Sequence, residues 1–250
     1  MGLGGAESFY QRLTQALQER GNPVSRVVRS GSRLAEGCSM DDGCIDVPMH
    51  SYWDIRGIYA IRRYLKEVQP AVVQTWMSRA TWLTRVPRAS DTIHLARLGN
   101  YYKLKYYRHA DYWVANGKGI CDFLIAGGLP ADRVFHIANF VERSALPGPG
   151  DTTALRKELY IPDDALTVFS LGRFVRKKGF DVLLEAFSRL PETIAGRPVY
   201  LLLLGDGKET QALQERADAF GLAGRVRMPG WRTDPLRFFA LSDAFVCPSR

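Results

Sequence analysis

The chain has 250 residues, 46% of them hydrophobic and 24% charged, which is the composition of a soluble globular protein with room for two domains. No apolar run approaches the roughly 20 residues that a membrane-spanning helix needs. The opening MGLGGAESFYQRL lacks the basic region and apolar core of a secretory signal, so we expect a cytoplasmic protein. The net charge of +8 predicts an anionic partner, namely nucleic acid, a phosphorylated substrate or an acidic membrane surface.

Helices and strands alternate along the amino-terminal half. Apolar residues at helical spacing, Phe9 and Leu13 among them, predict a first helix over ESFYQRLTQALQER that ends at Gly21. A segment that is mostly loop (31–50) contains a short strand near Ile45–Pro48. The remaining predicted strands are PVSRVVRS, AVVQTW, DTIHLARL and DYWVANG, followed by a short helix, GICDFLIAGG, and by the closing segment RVFHIANFV.

The segment YWDIRGIYAIRRYLKEV predicts a second long helix. Its inward face is expected to carry four apolar residues, Ile55, Ile58, Tyr59 and Ile61. Its outward face is expected to carry three cations, Arg62, Arg63 and Lys66.

The four cysteines do not have the spacing of a zinc site. They are Cys38, Cys44, Cys121 and Cys247, and only the first two are close in sequence. Because the expected compartment is reducing, we predict that all four are unpaired thiols.

The carboxy-terminal half begins after LPGPGD (residues 146–151), the only dense Pro/Gly cluster, which we interpret as a linker between domains 1–145 and 152–250. Asp151 is predicted to cap the helix TTALRKEL. Strands then alternate with helices to the end of the chain: LTVFSLG, GFDVLLEAFSRL, VYLLLLG, ETQALQERADAFG, RVRMPG, DPLRFFALS and DAFVCPS. This alternation predicts an α/β protein with parallel, doubly wound sheets.

Cations concentrate at the first strand-to-helix connection of this half. Gly172 and Arg173 follow the strand, and Arg176, Lys177 and Lys178 precede the next helix. Ligands of open parallel sheets bind at the carboxyl ends of strands, where cations beside a helix N-terminus favour phosphate. A short cationic run also commonly forms a solvated surface, so both interpretations remain open here.

Two further connections fall at the same predicted edge of the sheet. The first is Gly205, Asp206 and Gly207, where glycines permit close backbone approach to a ligand, although the same letters also form ordinary tight turns. The second contains Gly230 and Trp231, where the indole serves either for packing or for stacking on a base. Their shared edge favours a ligand site.

Other candidates carry less information. Gly4 and Gly5 precede the first helix and offer backbone amides to an anion, or form a flexible terminus. The tract KLKYYRHADYW mixes cations with aromatic rings, and either contacts nucleic acid or a membrane or forms a half-buried amphipathic segment. The histidines share no metal-ligand spacing.

A series of segments, in order along the chain, resembles the motifs of one family. They are GGAE with ERGNPV, VQPAVVQTWMSRA, ADYWVANGKGICDFLIAGGLPADRVFHIANFV, LGRFVRKKGFDVLLEAF, LLLLGDG, and VRMPGW with LSDAFVCPSR. The chain resembles the retaining glycosyltransferases of the GT-B fold, of the family 4 or group 1 type. The resemblance implies two Rossmann-like domains that face a cleft.

The resemblance also implies roles for residues. Arg173 and Lys178 would hold the diphosphate of a nucleotide-sugar donor and stabilise the charge of the leaving group. Gly4 and Gly5 would face the acceptor side or the donor phosphate. No metal or other cofactor is expected. The donor would be lined by Gly172, Gly205, Asp206, Gly207, Gly230, Trp231 and Ser249.

The chain departs from the family pattern at both ends. It stops at Arg250, before the glutamate pair that follows the family's Pro-Ser element, and the strand before GGAE is missing. We therefore expect a chain truncated at both ends, with an incomplete second domain. In the first domain, Trp76 stands where other members often have histidine, and His94 lies nearby.

The leading hypothesis is a transferase that moves a hexose from a nucleotide sugar, with retention, to a glycolipid or polysaccharide precursor of the lipopolysaccharide type. A basic first domain predicts peripheral contact with an anionic membrane at the cytoplasmic face; its cations are Arg62, Arg63, Lys66, Lys103, Lys105 and Arg108. The alternative is a non-catalytic remnant that binds nucleotides or polyanions. Nucleic acid is not expected as a partner, since only the net charge favours it.

Overall fold

The structure is a computed structural model that describes residues 5–87, 90–140 and 147–250. The chain divides into two compact units, an amino-terminal unit, Leu3–Val141, and a carboxy-terminal unit, Glu142–Arg250. Each unit combines parallel strands with helices, which confirms the predicted α/β class. None of the described helices has the length and apolar character needed to cross a bilayer.

The amino-terminal unit contains two groups of parallel strands. Strands β3, β4, β5 and β6 lie side by side in that order, and β1 pairs with β2 separately. Helix α3, directly after Trp76, was not predicted. The elements are α1 (Gly5–Glu19), β1 (Arg26–Arg29), β2 (Cys44–Val47), α2 (Ile55–Val68), β3 (Val72–Trp76), α3 (Met77–Leu83), β4 (Ile93–Leu98), β5 (Tyr112–Ala115), α4 (Lys118–Ala126) and β6 (Val134–His136).

The predicted inward face of α2 is wrong at two of its four positions. Ile61 is buried and Ile58 partly buried, but Ile55 and Tyr59 are largely exposed. The helix turns Gly57 inward, so closely that a Cβ there would lie 2.1 Å from the carbonyl oxygen of Pro48. Ile55 and Tyr59 are each two positions from Gly57, about 200° around the helix, and therefore face solvent.

The prediction of four unpaired thiols is wrong for Cys38 and Cys44, which form a disulfide with their Cα atoms 5.2 Å apart. The intervening residues form a 3₁₀ turn that Ser39 caps, and Gly43 closes it with a left-handed backbone (φ 62°). This turn folds the chain back and brings the two sulfur atoms together. Cys121 and Cys247 are free thiols.

The carboxy-terminal unit contains one sheet with the strand order β10-β9-β7-β11, all parallel, and a short hairpin strand, β8, on β9. The chain proceeds outward from β7 through β9 to β10 and then returns to β11 on the other side of β7, which is the predicted doubly wound order. The elements are α5 (Pro149–Glu158), β7 (Leu166–Leu171), α6 (Phe180–Ser188), β8 (Thr193–Ile194), β9 (Arg197–Leu204), α7 (Thr210–Ala219), β10 (Val226–Gly230), α8 (Pro235–Leu241) and β11 (Ala244–Phe245).

The leucine run of β9 supplies core on both faces of this sheet. Leu201 and Leu203 pack in a cluster with residues of α6 and α7. Leu202 and Leu204 pack in the opposite cluster with residues of α5 and α8. Each buried leucine contributes about 1.5–3 kcal/mol of transfer free energy. Burial on both faces explains why the strand is apolar without alternation.

The predicted cap at Asp151 is wrong. Helix α5 begins earlier, at Pro149, so Gly148 occupies the N-cap position and Asp151 lies in the first helical turn. The last three residues of the predicted linker (149–151) are therefore helical. The predicted domain boundary at residue 145 and the first linker residue lie outside the described residues.

Candidate functional site

The carboxyl ends of β7, β9 and β10 meet at one edge of the carboxy-terminal sheet. The amide of Gly172 donates to the carbonyl of Leu204 (3.0 Å), and the amide of Gly205 donates to the carbonyl of Gly230 (3.0 Å). Gly205 has a φ of +146°, and a Cβ there would lie 2.0 Å from the carbonyl oxygen of Gly172. Three glycines singled out in the sequence therefore lie at adjacent strand ends.

Arg173 is presented at this edge by its neighbour Phe174. The Phe174 ring is fully buried and packs edge-to-face on Phe180, with ring centroids 4.8 Å apart. The Phe174 amide donates to the carbonyl of Asp206 (2.9 Å), which joins this connection to the one after β9. Burial of Phe174 on one side leaves the guanidinium of Arg173 exposed on the other.

Lys178 returns to the same edge through a tight turn. Residues 176–178 form a 3₁₀ turn that Gly179 closes with a left-handed backbone (φ 68°). The side chain of Lys178 passes beside Gly172, since its Cδ would lie 3.8 Å from a Cβ at that glycine. The structure thus brings Lys178 next to the strand end that carries Arg173.

The chain after β11 packs against this turn. A Cβ on Gly179 would lie 2.1 Å from the carbonyl oxygen of Pro248, so only glycine fits. Arg250 donates its amide to the carbonyl of Lys177 (3.0 Å) and its guanidinium to the Arg176 carbonyl and to a carboxylate oxygen of Asp181 (2.7 Å). This function of Arg250 was not predicted from the sequence, because its partners are distant in sequence.

The cations between β7 and α6 have no ion-pair partner among the described residues. No carboxylate of the described residues lies within ion-pair distance of Arg173 or Lys178, or of their exposed neighbours Arg176 and Lys177. Hydrogen bonds with Ser249, and to a smaller extent the nearby ammonium of Lys178, lower the pKa of the Cys247 thiol. This arrangement favours an anionic ligand.

The side chain of Asp206 is engaged in its own turn. Its Oδ1 accepts hydrogen bonds from the Thr210 hydroxyl (2.8 Å) and from the Gly207 amide (2.7 Å), and these bonds lower the pKa of its carboxyl. A Cβ on Gly207 would lie 2.3 Å from the carbonyl oxygen of Phe174. A ligand can therefore approach the backbone of the connection after β9 closely. The Asp206 side chain stabilises the start of α7 through its hydrogen bond with Thr210.

Trp231 follows Gly230 (φ +81°) and is 58% exposed. It lines a shallow depression of about 380 Å³ with the three residues that follow it. Among them Arg232 is fully paired, because its guanidinium donates to both carboxylate oxygens of Asp234 (2.8 Å each) and to Glu158. A planar ring beside a paired arginine is suited to stacking on a base.

The amino-terminal unit contributes less of what was predicted. Gly4 lies outside the described residues, and Gly5 is the exposed first residue of α1 with nothing packed against it. Arg97, a buried cation at the carboxyl end of β4, was also not predicted from the sequence. Its guanidinium stacks on the rings of Phe9 and Trp76 (4.8 and 5.3 Å to the centroids), and burial lowers its pKa.

His94 points into the core rather than toward a strand end. It is buried near the start of β4, where its Nε2 is 3.0 Å from the Thr75 hydroxyl, and burial lowers its pKa to about 4. The nearby aromatic tract is half-buried, because Tyr107 and Trp113 lie in the core while Lys103, Lys105 and Arg108 face solvent.

Two models of known protein families together match nearly the whole chain. The model of Glycosyltransferase Family 4 matches residues 3–145. The model described as Glycosyl transferases group 1 matches residues 151–250.

Individual proteins extend this likeness. The lipopolysaccharide core biosynthesis glycosyltransferase LpsE of Rhizobium meliloti is 35% identical over 255 residues, which cover 98% of this chain and 69% of that protein. LpsD of the same organism is 33% identical over 251 residues, with 98% and 68% covered. The crystal structure of Anabaena Alr3699/HepE with UDP-glucose is similar at a TM-score of 0.76 and 17% identity, over 99% of this chain and 71% of that one. This structural likeness confirms the GT-B fold.

Proposed function

The chain belongs to glycosyltransferase family 4, and from this premise we propose that it transfers a hexose from a nucleoside-diphosphate sugar to a glycolipid or polysaccharide precursor, with retention of configuration. The single observation that supports the donor most directly is the pair Arg173 and Lys178. Both cations stand without a carboxylate partner, among the described residues, where three glycine backbones converge. HepE, a protein of the same fold, has been solved with UDP-glucose, which supports a nucleotide sugar as the donor class.

The proposed donor lies along the strand ends. Its diphosphate binds between Arg173 and Lys178, and its base lies against Gly230 and Trp231. The backbones of Gly172, Gly205 and Gly207 allow close approach, and Ser249 offers a hydroxyl near the Cys247 thiol, which itself lies close to the Lys178 ammonium. Gly4 and Gly5 remain candidates for the acceptor or a donor phosphate.

The chemistry proposed for the cations is stabilisation of the leaving group. As the bond between the anomeric carbon and the diphosphate oxygen breaks, negative charge accumulates on the nucleoside diphosphate. Preorganised cations stabilise that charge more strongly than they stabilise the intact donor, and this difference lowers the barrier. Because two side chains already supply the positive charge, we propose that the reaction proceeds without a metal ion.

The acceptor class is proposed from the relatives. LpsE and LpsD are lipopolysaccharide core biosynthesis enzymes by name, so a lipopolysaccharide precursor is the proposed acceptor. Such an acceptor is anchored in a membrane. The exposed cations of α2 support peripheral contact with anionic lipid at the cytoplasmic face.

The decisive experiment combines transfer and binding. Purified protein is assayed for sugar transfer and hydrolysis with a panel of nucleotide sugars, and UDP and GDP binding is measured by calorimetry. Lys178→Ala and Arg173→Ala are each expected to lower kcat/KM by roughly 10²–10³-fold, because one preorganised charge is lost from the transition state. Lys177→Ala is the matched control, since that exposed cation has no assigned contact with the donor.

Three results would contradict the proposal. Equal loss in Lys177→Ala and Lys178→Ala would reject the assigned phosphate site. Nucleotide binding that survives both site substitutions would do the same. Tight nucleotide binding without turnover of any donor would favour the non-catalytic alternative.

A further inference from the structure

An unusually exposed apolar group lies at the start of α2. Trp53, Ile55 and Tyr59 are 81%, 78% and 69% exposed. Among the described large hydrophobic side chains, only Met40 and Tyr160 are also more than two thirds exposed, so this short segment holds most of them. We call Trp53, Ile55 and Tyr59 the apolar ridge. Clustered exposure of this kind indicates an interaction surface, whereas single exposed apolar residues do not.

The apolar ridge continues into a row of cations on the same side of α2. Ile55 and Tyr59 are one turn apart, and Arg62 and Lys66 extend the same stripe through the following turns. All four are exposed, while Gly57 and Ile61 on the opposite face are buried. This stripe of the helix is therefore apolar in its first half and cationic in its second.

The apolar ridge is held by a rigid platform. Asp54 caps α2 by accepting hydrogen bonds from the amides of His50 (3.0 Å) and Gly57 (3.1 Å). Tyr52, the neighbour of Trp53, stacks on Tyr106 with ring centroids 4.3 Å apart. Little conformational entropy is left for this segment to lose on binding, since its backbone is already ordered.

The charge around the apolar ridge is strongly positive. Helix α2 carries four exposed cations and one exposed acid, Glu67; the cations are Arg56, Arg62, Arg63 and Lys66. A second basic site adjoins the platform, where the ammonium of Lys105 lies 5.1 Å from the Tyr106 ring centroid. The partner that suits the apolar ridge is therefore anionic.

We propose that the apolar ridge and the cations of α2 form a docking surface for an anionic lipid bilayer. Trp53, Ile55 and Tyr59 insert at the level of the headgroups, where amphipathic rings are favoured, while Arg62 and Lys66 contact lipid phosphates. Protruding side chains beside a cationic helix suit a flat, fluid surface better than a protein groove. This inference deepens the membrane contact of the proposed function, and it identifies the residues that make that contact.

The test measures vesicle binding of the full chain. Sedimentation with vesicles of phosphatidylglycerol and phosphatidylcholine is compared with sedimentation with vesicles of phosphatidylcholine alone. The wild-type chain is expected to bind the anionic vesicles, and Trp53→Ser combined with Ile55→Ser is expected to lower the partition coefficient at least tenfold. Arg62→Gln combined with Lys66→Gln is expected to cause a loss of about tenfold that added salt makes smaller.

The matched control is Tyr160→Asn. Tyr160 is 83% exposed but lies in the carboxy-terminal unit, and its left-handed backbone (φ 53°) accepts asparagine. This variant is expected to bind vesicles like the wild type. Quenching by brominated lipid provides a second readout, and Trp53→Phe is expected to remove most of the quenched fluorescence.

UDP binding in solution is measured on every variant, so that a failed fold is not mistaken for a lost membrane surface. Vesicle binding that is unchanged in the Trp53, Ile55 variant would overturn the proposal. A wild-type dimer that this variant dissociates would also overturn it, because the apolar ridge would then be a protein interface. Lost vesicle binding with UDP binding intact supports the docking surface, whereas a wild-type chain that binds vesicles but not UDP would reject the donor site alone.

Discussion

Two groups of cations lie at the same edge of the carboxy-terminal sheet. They differ in whether carboxylates form ion pairs with them. Arg173 and Lys178 have no carboxylate within ion-pair distance among the described residues. Arg232 and Arg237 instead share Asp234, and Arg232 also contacts Glu158. Equal numbers of positive side chains therefore produce different local fields.

The two groups are also held in place differently. The backbone around Arg173 and Lys178 is fixed by burial of Phe174, by the close contact between Gly179 and Pro248, and by the hydrogen bonds of Arg250. The cationic side chains themselves make no ion pairs among the described residues and remain available. In the group of Arg232 and Arg237, ion pairs with carboxylates fix the cationic side chains themselves.

The pKa values of Asp234 and Arg232 reflect the ion pairs of the second group. Hydrogen bonds from Arg232 hold the pKa of the Asp234 carboxyl well below its ordinary value, and Asp234 in turn raises the pKa of Arg232. A paired group of this kind can shape the surface beside Trp231, but it adds little net charge there. The difference teaches that a basic sequence locates a phosphate site only where the fold leaves the charges unpaired.

The largest expected effect comes from disturbing the backbone that holds the unpaired group. Gly179→Ala places a Cβ against the Pro248 carbonyl and puts alanine at a φ of +68°. Overpacking and the left-handed backbone together predict a loss of about 2–4 kcal/mol in the free energy of unfolding. Urea unfolding of fluorotryptophan-labelled protein measures it by fluorine NMR, with Trp231 as the reporter in this unit.

Gly196→Ala is the matched control for that substitution. Gly196 has a similar φ of +76°, but no atom lies within 4 Å of its added Cβ. Only the backbone cost of about 1–2 kcal/mol is expected there. Equal losses in the two variants would mean that the contact between Gly179 and Pro248 does not hold the turn.

A smaller effect is expected from pairing the unpaired group. Cys247 lies close enough to Lys178 for the ammonium to lower the pKa of its thiol. Cys247→Asp places a carboxylate there, and we expect UDP to bind roughly tenfold more weakly, about 1.4 kcal/mol, because Lys178 becomes neutralised. Calorimetry in low and high salt measures this, and the difference should shrink as salt screens the charges.

Cys247→Ser controls for loss of the thiol and is expected to bind UDP like the wild type. If the aspartate variant also bound UDP normally, Lys178 would not be a phosphate ligand.

Much of the fold was predictable because it depends on local patterns. The leucine run of β9 predicted a strand buried on both faces, and the strands that carry Gly172, Gly205 and Gly230 end at one edge as expected. The outward Ile55 and Tyr59 were not predictable from periodicity, since the choice of face depends on Gly57 packing against Pro48. The disulfide between Cys38 and Cys44 depends on a local turn that spacing alone does not reveal.

The site was predictable only for residues whose role follows from their position on a strand end. Pairing of charges was not predictable where the partners are distant in sequence: Arg232 and Glu158 are 74 residues apart, and Arg250 and Asp181 are 69 residues apart. The buried position of Arg97 was not predictable because its stacking partners, Phe9 and Trp76, belong to other elements. Tertiary contact decides which cations are free, and sequence spacing does not encode it.

The smallest expected effect comes from breaking the paired group with Asp234→Asn. Asp234 and its arginine partners are partly exposed, so the loss at neutral pH is expected to be only about 0.5–1 kcal/mol in the free energy of unfolding. Because its folded pKa is depressed, Asp234 stabilises the protein above the unfolded pKa, about 4, and that contribution declines as pH falls below it. The asparagine variant should therefore converge with the wild type on acidification. Asp163→Asn, at an exposed carboxylate with no ion pair among the described residues, is the control and should change the free energy of unfolding little at neutral pH. Urea unfolding at several pH values, followed at Trp231, distinguishes them, and a difference between Asp234→Asn and wild type that stays constant down to strongly acidic pH would show that the paired group is not held by charge.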